Sequence, residues 1–333
     1  MHRLNNANIL ITGGTGSFGQ AFVAMTLGKY DPRRLVIYSR DEMKQWEMAK
    51  RFAADRRVRF FLGDVRDPDR LTRALDGIDY VVHAAALKIV TTAEYNPFES
   101  VKTNIFGAMN IIDICINKGV KRVVALSTDK ASAPINLYGA TKLVSDKLFV
   151  AGNSYAGGHD TRFAVVRYGN VMGSRGSVIP LFLSLAGEAR LPITDPRMTR
   201  FMVTLEQGVE LVWHAFDDME GGEIYVQKAP SMKVMDIARA VNPKAAPDII
   251  GVRPGEKLHE QMISPEDSHY TFEYGSYYKI MPAIHPWGNE TRVKGGRKVP
   301  VGFVYASDSN TEWMCAEALR AWIETRYCKS AKS

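Results

Sequence analysis

Short apolar runs alternate with longer amphipathic stretches along the first half of the chain. Six of these runs are rich in Val, Leu, Ile and Phe, and their nearly continuous apolar character is typical of parallel strands covered by helices on both faces. They lie at 8–12, 34–39, 58–64, 80–86, 122–127 and 163–169. Strands that alternate with helices through right-handed connections predict an α/β fold with a doubly wound parallel sheet.

Glycines at three-residue spacing follow the first apolar run and lead into a predicted helix. Glycine there lets the backbone turn sharply and approach a pyrophosphate, whose charge then lies at the helix N-terminus. The position of this loop, between the first strand and the first helix, favours dinucleotide binding in a Rossmann sheet over an ordinary turn. The predicted cofactor contacts in the loop are Gly13, Thr15, Gly16, Ser17, Phe18 and Gly19.

Beyond residue 170 the apolar pattern becomes irregular and the glycine and proline content rises. We predict a nucleotide-binding Rossmann domain over residues 1–170 and a smaller mixed α/β substrate-binding region over 171–221 and 229–333. The run at 222–228 predicts a strand that returns to the main sheet, so the boundary between the two regions is discontinuous.

The end of the second strand distinguishes the two nicotinamide cofactors, because a carboxylate there would hold a ribose 2′-hydroxyl and an arginine a 2′-phosphate. The sequence reads YSRDE, so that Ser39 and Arg40, with Lys44 one turn later, favour NADP. Asp41 leaves NAD as the less favoured alternative. Asp64, after the third strand, is placed to contact the adenine, although a capping or turn role would also explain it.

The segment STDKASAPINLYGATK, residues 127–142, contains four groups that can transfer protons: Asp129, Lys130, Tyr138 and Lys142. The tyrosine and the second lysine are four residues apart on a predicted helix and share one of its faces. That face meets the carboxyl ends of the strands, where open α/β sheets bind ligands. A neighbouring ammonium and an oxidised nicotinamide would both lower the tyrosine pKa from about 10, making it a base for a substrate hydroxyl.

The overall charge is +7 and the sequence pI is about 9.2, which raises the question of a nucleic-acid partner. The basic residues are scattered, however, and the longest local cluster, RVKGGRK at 292–298, is short and typical of a solvated loop. A few cations around an anionic nucleotide would explain the charge equally well. We therefore predict no nucleic-acid partner.

The three cysteines, Cys115, Cys315 and Cys328, are far apart and lack the spacing of metal ligands. This usage fits a reducing compartment, and no metal is predicted. No apolar run approaches the ~20 residues of a membrane span, and the N-terminus enters the first strand without the pattern of a signal peptide. These features predict a cytoplasmic protein without a membrane partner.

With these features, the sequence resembles the extended short-chain dehydrogenase/reductases that act on nucleotide sugars. It is most similar to the inverting UDP-N-acetylglucosamine 4,6-dehydratases, which in bacteria supply pseudaminic acid for flagellin glycosylation. The resemblance covers essentially the whole chain, and STDK and ITDPRMTRF are its most discriminating motifs. The other motifs that carry it are GGTGSFG, PINLYGATK, RYGNVMGSRGSVIP, RPGEKLHE and SDSNTEW.

The resemblance implies that five residues catalyse the dehydration of UDP-N-acetylglucosamine. Thr128 and Lys142 assist the other three, which are Tyr138, Lys130 and Asp129. Tyr138 helps oxidise carbon 4 to a ketone as hydride passes to NADP. Lys130 is the base for the proton on carbon 5, and Asp129 is the acid that assists loss of the carbon 6 hydroxyl as water. Hydride then returns to carbon 6, and carbon 5 is reprotonated on the opposite face.

Lys130 must be neutral to act as a base, whereas its unperturbed pKa is about 10.4. Desolvation and the charge of Lys142 would lower that pKa, and Asp129 would oppose the shift. Because the acid and the base should titrate as a coupled pair, their assignments are provisional. A surface ion pair is the alternative interpretation of these two residues.

The resemblance also implies contacts outside the catalytic segment. Substrate contacts are predicted at Lys88, Asn170, Arg175, Val178, Thr194, Arg200, Arg253 and Glu256, of which Arg253 would hold the pyrophosphate and Glu256 a ribose hydroxyl. Further cofactor contacts are predicted at Val65, Ala84, Ala85, Ala86, Lys88 and Asn104. The loop at 84–99 departs from the family at Ile89 and Thr91, so its sugar contacts are expected to differ.

Three alternatives share the same fold. A nucleotide-sugar epimerase needs the tyrosine and the cofactor but not the acid–base pair, and a retaining 4,6-dehydratase differs in the configuration at carbon 5. A non-catalytic, NADP-sensing protein would be expected to lose the tyrosine–lysine pair. The family also implies a homo-oligomer, a dimer or a dimer-based hexamer, in which the segment with Tyr138 and the segment at 99–118 form a four-helix contact.

Overall fold

A computed structural model describes residues 3–284 and 293–328. Its strands are β1 (Asn8–Thr12), β2 (Arg34–Ser39), β3 (Val58–Leu62), β4 (Tyr80–His83), β5 (Arg122–Thr128), β6 (Arg162–Tyr168), β7 (Asn170–Val171), β8 (Arg190–Ile193), β9 (Thr199–Val203), β10 (Ile224–Gln227), β11 (Ser231–Lys233), β12 (Ala246–Ile249), β13 (Gln261–Ile263), β14 (Thr271–Glu273), β15 (Tyr277–Ile280), β16 (Arg297–Lys298) and β17 (Tyr305–Ala306).

The α-helices of the described residues are α1 (Ser17–Lys29), α2 (Glu42–Arg51), α3 (Pro68–Ala74), α4 (Val90–Tyr95), α5 (Pro97–Val101), α6 (Gly107–Asn117), α7 (Leu137–Tyr155), α8 (Val178–Ser184), α9 (Leu205–Asp218), α10 (Val234–Val241) and α11 (Ala316–Ile323). The segments Lys102–Phe106 and Glu324–Cys328 are π-helical, and Asp129–Ala131 and Asp267–Tyr270 are 3₁₀ turns. No helix within the described ranges is long and apolar enough to cross a membrane.

The main sheet has the strand order β3-β2-β1-β4-β5-β6-β10, with all neighbouring pairs parallel. β15, β14 and β16 extend it beyond β10 with antiparallel pairs. Helices α1 and α9 pack together on one side, and α3, α6 and α7 form a second packed layer. This arrangement confirms the predicted doubly wound fold, whose strand order reverses direction between β1 and β4, the usual position of a ligand crevice.

Burial of the central strands explains their nearly continuous apolar sequence. Ile9, Leu10 and Ile11 are fully buried, and each such side chain contributes roughly 1.5–3 kcal/mol relative to an exposed one. A second, smaller apolar cluster joins α8, α10 and α11 with β8 and β9. The boundary proposed between the nucleotide-binding and substrate-binding regions stays a prediction.

Strand ends differ slightly from the prediction. The run at 80–86 ends as a strand at His83, because the Thr12 hydroxyl accepts the backbone N–H groups of Ala84 at 3.1 Å and Ala85 at 3.2 Å. β3 ends at Leu62, two residues before Asp64. In both places the chain leaves the sheet at its carboxyl edge and enters the candidate site.

Candidate active site

The glycine-rich loop between β1 and α1 lies against the backbone that follows β4. Gly13 has a φ of +64°, and a Cβ there would lie 2.9 Å from Ala85 N and 3.0 Å from Ala84 C, so a side chain would displace this backbone. The N-cap of α1 is Gly16, so no capping side chain competes for the amides of the first turn. These residues fit the pyrophosphate of a dinucleotide, which binds at a helix N-terminus.

Thr15 and Ser39, both predicted to contact the cofactor, are buried and support each other. Thr15 Oγ1 donates to Ser39 Oγ at 3.1 Å, and the side-chain amide of Gln45 donates to the Ser39 carbonyl at 2.9 Å. These bonds join the ends of β1 and β2. Ser39 is therefore an internal support of the cofactor site, and its predicted contact with the cofactor stays a prediction.

The charged residues after β2 and β3 form several ion pairs, and Asp64 is held most closely by Arg66, whose Nη2 lies 2.8 Å from Asp64 Oδ2. Arg40 keeps 55% of its side chain exposed and lies 3.5 Å from Asp64. The Lys44 ammonium lies 2.5 Å from Asp41, and hydrogen bonds from Lys44 hold the pKa of Asp41 below its ordinary value. Arg40 therefore keeps much of its surface available to a 2′-phosphate, whereas Lys44 is largely neutralised by Asp41.

Asn104 lies in the π-helical segment before α6 and is 1% exposed. Its Oδ1 accepts the Leu87 N–H at 2.9 Å, and its Nδ2 donates to the Leu87 carbonyl and to Thr141 Oγ1, each at 3.0 Å. Both polar atoms thus hold the loop, and the predicted contact of Asn104 with the cofactor stays a prediction. Val65, another predicted contact, is also buried in the core.

Arg175 lies at the glycine-rich loop. Its backbone N–H donates to Ser17 Oγ at 3.1 Å, and the Lys88 ammonium donates to the Arg175 carbonyl at 3.0 Å. The charge of Arg175 also contributes to the lowered pKa of Asp41. Arg175 is predicted from the sequence as a substrate contact. The structure places its backbone beside the predicted cofactor residues, and the substrate contact stays a prediction.

The five predicted catalytic residues converge where β5 ends and α7 begins. Asp129 and Lys130 occupy the 3₁₀ turn after β5, with the Lys130 ammonium 3.0 Å from Asp129 Oδ1. Thr128 Oγ1 donates to Asp129 Oδ1 at 2.9 Å, and Thr128 lies close enough to Tyr138 to lower the pKa of the phenol. Tyr138 and Lys142 follow on α7, and both are buried. Only 2% of the Asp129 side chain is exposed, which argues against a surface ion pair.

The start of α7 is fixed against the turn that carries Lys130. The Asn136 side chain caps the helix by accepting the Gly139 N–H at 2.7 Å, and its amide donates to the Gly255 carbonyl at 2.7 Å. A Cβ at Gly139 would overlap the Lys130 carbonyl oxygen. Only glycine therefore lets the helix approach the turn closely enough to bring Tyr138 beside the acid–base pair.

Burial dominates the electrostatics of the tyrosine and the helix lysine. It raises the pKa of Tyr138 to about 12, although the charge of Lys130 and the nearby Thr128 hydroxyl lower it. Burial also lowers the pKa of Lys142, against the charge of Asp146. The protein groups alone therefore do not lower the Tyr138 pKa as expected, and an oxidised nicotinamide ring would have to supply that effect.

Lys130 has a second carboxylate partner that sequence reasoning missed. Its ammonium lies 3.0 Å from Glu260 Oε1 as well as 3.0 Å from Asp129 Oδ1. Burial would lower the pKa of Lys130, but the two carboxylates outweigh it and raise that pKa, which is opposite to the direction expected from the sequence. The only sequence signal was the position of Glu260 at the end of the RPGEKLHE motif.

His83 was also missed, because it lies within an apolar run. It is buried at the end of β4, with its Nδ1 2.9 Å from Thr12 Oγ1. Burial, followed by the charge of Lys142, lowers the His83 pKa to about 3. The imidazole is therefore neutral at ordinary pH and supports the strand end without adding charge to the site.

Three predicted substrate residues, Asn170, Val178 and Arg200, line one small cavity together with Met202. The side-chain oxygen of Asn170 is buried and has no hydrogen-bond partner among the described residues. Thr194 follows β8 and is absent from the lining of this cavity. The structure thus brings part of the predicted substrate set together.

Arg200, Arg253 and Glu256 are engaged by the chain itself. The Arg200 guanidinium donates to the carbonyls of Thr199 at 2.7 Å and Leu258 at 3.0 Å, with 11% of its side chain exposed. These bonds give Arg200 a structural role, and its predicted role as a phosphate partner stays a prediction. Arg253 and Glu256 lie 2.5 Å apart as an ion pair, with 54% of the arginine side chain exposed.

Comparison with known proteins adds independent evidence. The family model described as polysaccharide biosynthesis protein matches residues 9–282. The chain is 54% identical over 323 residues to a UDP-N-acetylglucosamine 4,6-dehydratase (inverting) of Campylobacter jejuni, covering 95% of this chain and 96% of the relative. It is 43% identical over 281 residues to a UDP-glucose 4-epimerase of Rickettsia typhi, covering 82% of each chain.

The structure is also similar to a solved one. The X-ray structure of Pen from Bacillus thuringiensis superposes with a TM-score of 0.89 at 35% sequence identity, covering 97% of this chain and 99% of the other. The agreement extends over nearly the full length, so the fold of the second region, as well as that of the Rossmann sheet, is shared with a known protein.

We predict that Gly139→Ala destabilises the protein by about 1–3 kcal/mol, the usual cost of overpacking, because the added Cβ would overlap the Lys130 carbonyl. The higher helix propensity of alanine offsets up to ~1 kcal/mol of this cost, and the free energy of unfolding should still fall. Urea denaturation, giving the free energy of unfolding, is the measurement.

Gly28→Ala in α1 is the matched control, since no heavy atom lies within 4 Å of a Cβ built there. It should leave stability unchanged or raise it by about 0.4–1 kcal/mol. Equal effects of the two substitutions would show that close packing at Gly139 does not constrain the site.

Proposed function

The chain belongs to the polysaccharide biosynthesis protein family of extended short-chain dehydrogenase/reductases, and from that premise we propose that it is an inverting UDP-N-acetylglucosamine 4,6-dehydratase. The observation that carries the proposal is the buried Asp129–Lys130 pair, which lies beside Tyr138 through the hydroxyl of Thr128. Removal of water needs an acid and a base in addition to hydride transfer, and this pair supplies both.

The residues of the glycine-rich loop support binding of a nicotinamide dinucleotide. Gly13 allows close approach of the backbone, and the first turn of α1 presents amides to a pyrophosphate. When bound, this cofactor would supply a hydride acceptor for carbon 4 of the sugar and a hydride donor for carbon 6. The protein therefore has to provide the proton transfers.

Tyr138 takes the proton of the carbon 4 hydroxyl, with Thr128 close beside it. The resulting ketone acidifies the proton on carbon 5. Asp129 suits the role of the acid for the departing carbon 6 hydroxyl, because burial raises its pKa and favours its protonated form. Lys130 is then the base for carbon 5, and as an ammonium ion it must first lose a proton.

A nucleotide-sugar epimerase is the second candidate, since relatives at 43% identity bear the name UDP-glucose 4-epimerase. An epimerase would use Tyr138 and the cofactor but would leave Asp129 and Lys130 without a chemical role. A retaining dehydratase would use the pair but keep the configuration at carbon 5. A non-catalytic NADP-sensing protein would need neither the pair nor Tyr138.

We predict that the protein converts UDP-N-acetylglucosamine in deuterated water to a 4-keto sugar with a new methyl signal in proton NMR. Deuterium should appear at carbon 5 with inverted configuration. Asp129→Asn and Lys130→Met should lower formation of the methyl product by about 10²–10⁴-fold while carbon 4 is still oxidised, because general acid–base catalysis contributes factors of that size.

Lys147→Met, at an exposed position of α7, is the matched control and should keep full activity. Formation of UDP-N-acetylgalactosamine without a methyl signal would establish the epimerase instead. Retained configuration at carbon 5 would establish the retaining dehydratase, and no turnover would support the non-catalytic alternative.

We further propose that NADP is the preferred cofactor, supported by the exposed guanidinium of Arg40 at the end of β2. Arg40→Ala should weaken NADP binding by about 10–100-fold, the value of one charge-assisted hydrogen bond, and change NAD binding by less than about 3-fold. Isothermal titration with each cofactor measures the difference. Arg51→Ala, at the last turn of α2, is the control, and equal losses for both cofactors would contradict an NADP site.

A homo-oligomer is proposed from an apolar surface on α4–α6 and α7. Tyr95 is 88% exposed and Phe98 79%, and Phe106 and Tyr155 are also mostly exposed. An aromatic surface of this kind is typical of an interface between subunits. It supports the dimer, or dimer-based hexamer, predicted to form through residues 99–118 and the helix that carries Tyr138.

The double variant Phe98→Glu/Phe106→Glu should reduce the mass measured by light scattering to that of a monomer, because buried carboxylates would oppose the contact. Val301→Glu, at a position that is 73% exposed elsewhere on the surface, is the control and should leave the mass unchanged. A monomeric wild-type protein would exclude this interface.

By resemblance we also propose that the product serves pseudaminic acid synthesis for flagellin glycosylation, and that the enzyme acts in the cytoplasm. The support for the pathway is the motif resemblance. The cytoplasmic location is supported by cysteines that are far apart in the sequence. Cys115 is buried and unpaired, and the side chain of Cys328 lies outside the described residues.

A further inference from the structure

We propose that Glu260 is the proton acceptor that converts Lys130 from an ammonium ion to a neutral amine during the dehydration. This inference rests on the dehydratase function proposed above. It is carried by the geometry of the cluster, in which Lys130 Nζ lies 3.0 Å from Glu260 Oε1 and 3.0 Å from Asp129 Oδ1. Only 2% of either carboxylate side chain is exposed.

Each carboxylate has one oxygen in contact with Lys130 and one without a partner. Glu260 Oε2 and Asp129 Oδ2 are both buried, and neither has a hydrogen-bond partner among the described residues. Buried oxygens of this kind are costly in a purely structural ion pair and are characteristic of sites where protons are exchanged. The second oxygen of each group is therefore available to a substrate atom or to a proton.

The neighbouring charges and burial move the pKa values of the two carboxyl groups in opposite directions. Arg200 Nε lies 3.8 Å from Glu260 Oε1 and adds a second positive charge on that side. Lys257 is near enough to contribute further, while its ammonium donates to the Ser132 carbonyl at 2.8 Å. The pKa of Glu260 is lowered despite its burial, whereas burial raises the pKa of Asp129. At rest Asp129 is therefore the protonated group and Glu260 the ionised one. The same charges hold Lys130 as an ammonium ion, so proton transfer from Lys130 to Glu260 is uphill and transient.

Residues near the C-terminus hold Glu260 in place. Ser307 Oγ accepts the Glu260 N–H at 2.9 Å, and the Ser307 N–H donates to the Glu260 carbonyl at 2.8 Å. The same hydroxyl lies 2.7 Å from Thr199 Oγ1. The SDSNTEW motif, which begins at residue 307, thus acquires a function as the support of this carboxylate.

The proton transfers balance within the cluster. At rest Asp129 is protonated, Lys130 is an ammonium ion and Glu260 is a carboxylate. One N–H bond of Lys130 breaks and an O–H bond forms on Glu260, which leaves a neutral amine. The amine takes the carbon 5 proton as the C5–C6 double bond forms, the C6–O bond breaks and Asp129 gives its proton to the departing oxygen.

The cluster then returns to its starting state, and the proton that Tyr138 took from the carbon 4 hydroxyl balances, through exchange with solvent, the one that carbon 5 takes up on its opposite face. After loss of water, Glu260 holds one proton, Lys130 is again an ammonium ion and Asp129 is a carboxylate. Lys130 gives a proton to Asp129 and takes one from Glu260, over two contacts that are each 3.0 Å long. Glu260 thus acts through Lys130, as a positioning and proton-accepting residue.

Glu260→Gln should lower kcat for formation of the methyl product by about 10²-fold and change KM by less than about 3-fold. Oxidation at carbon 4 should survive, because Tyr138 performs that step. Glu260→Asp should recover part of kcat, since it restores a carboxylate. Glu210→Gln, at an exposed position of α9, is the matched control and should behave as the wild type.

The pH profile separates this role from a merely structural one. The polar and titratable groups around Asp129, the proposed acid, are Thr128, Lys130, Tyr138, Lys257 and Glu260. The negative charge of Glu260 raises the pKa of Asp129. Asp129 must be protonated to release water, so activity is lost as pH rises through its pKa. Removing the Glu260 charge lowers that pKa, and the alkaline limb of kcat should move to lower pH in Glu260→Gln.

The outcomes distinguish this inference from the proposed function. If the wild type forms no methyl product, the dehydratase function itself is wrong. If the wild type forms it and Glu260→Gln retains both kcat and the pH profile, the role of Glu260 is wrong. Should Glu260→Gln fail to fold, Glu260→Asp and Ser307→Ala decide in its place. Both keep the carboxylate charge but misplace it, so kcat should fall by about 10-fold while KM and the alkaline limb stay nearly unchanged; a wild-type kcat in both would overturn the proposal.

Discussion

The contact of the Lys130 ammonium with two buried carboxylates is the interaction on which the arrangement of the site depends. One carboxylate comes from the turn after β5, and the other comes from the segment that leads into β13. Burying charged groups is costly unless their geometry is good, and removal of one partner would leave the others uncompensated. The Rossmann sheet and the second region therefore have to be packed together for this cluster to exist.

Several uncharged contacts hold the cluster at its position. Gly139 lets α7 approach the turn closely, and Asn136 joins the start of that helix to the loop at Gly255. On the other side, Asn104 fixes the loop after β4 through Leu87. None of these residues bonds to the side chain of the acid or of the base, yet they set the distance between Tyr138 and the ion pair. A shift of about 1 Å in such positions can cost a large factor in rate.

The same scaffold serves dehydratases and epimerases, and the difference between them lies in proton transfer. Hydride transfer needs the cofactor, a tyrosine and a nearby lysine. The loop between β1 and α1 is the predicted cofactor site, and α7 carries the tyrosine and the lysine. Elimination needs an additional acid and base in a site that excludes water. The proposed acid and base both lie in the turn directly after β5, so a change of two adjacent residues would be enough to remove the chemistry that we propose separates the two activities.

The sequence by itself determined the parallel strands, the glycine-rich loop and the shared face of Tyr138 and Lys142, because each is a local pattern of period, spacing or adjacency. Only the tertiary structure decided which distant residues join them. It placed Glu260 against Lys130, brought Arg175 to Ser17 across 158 residues and turned the Arg200 guanidinium toward backbone carbonyls. Contacts at such separations follow from the packing of whole elements, and no local pattern encodes them.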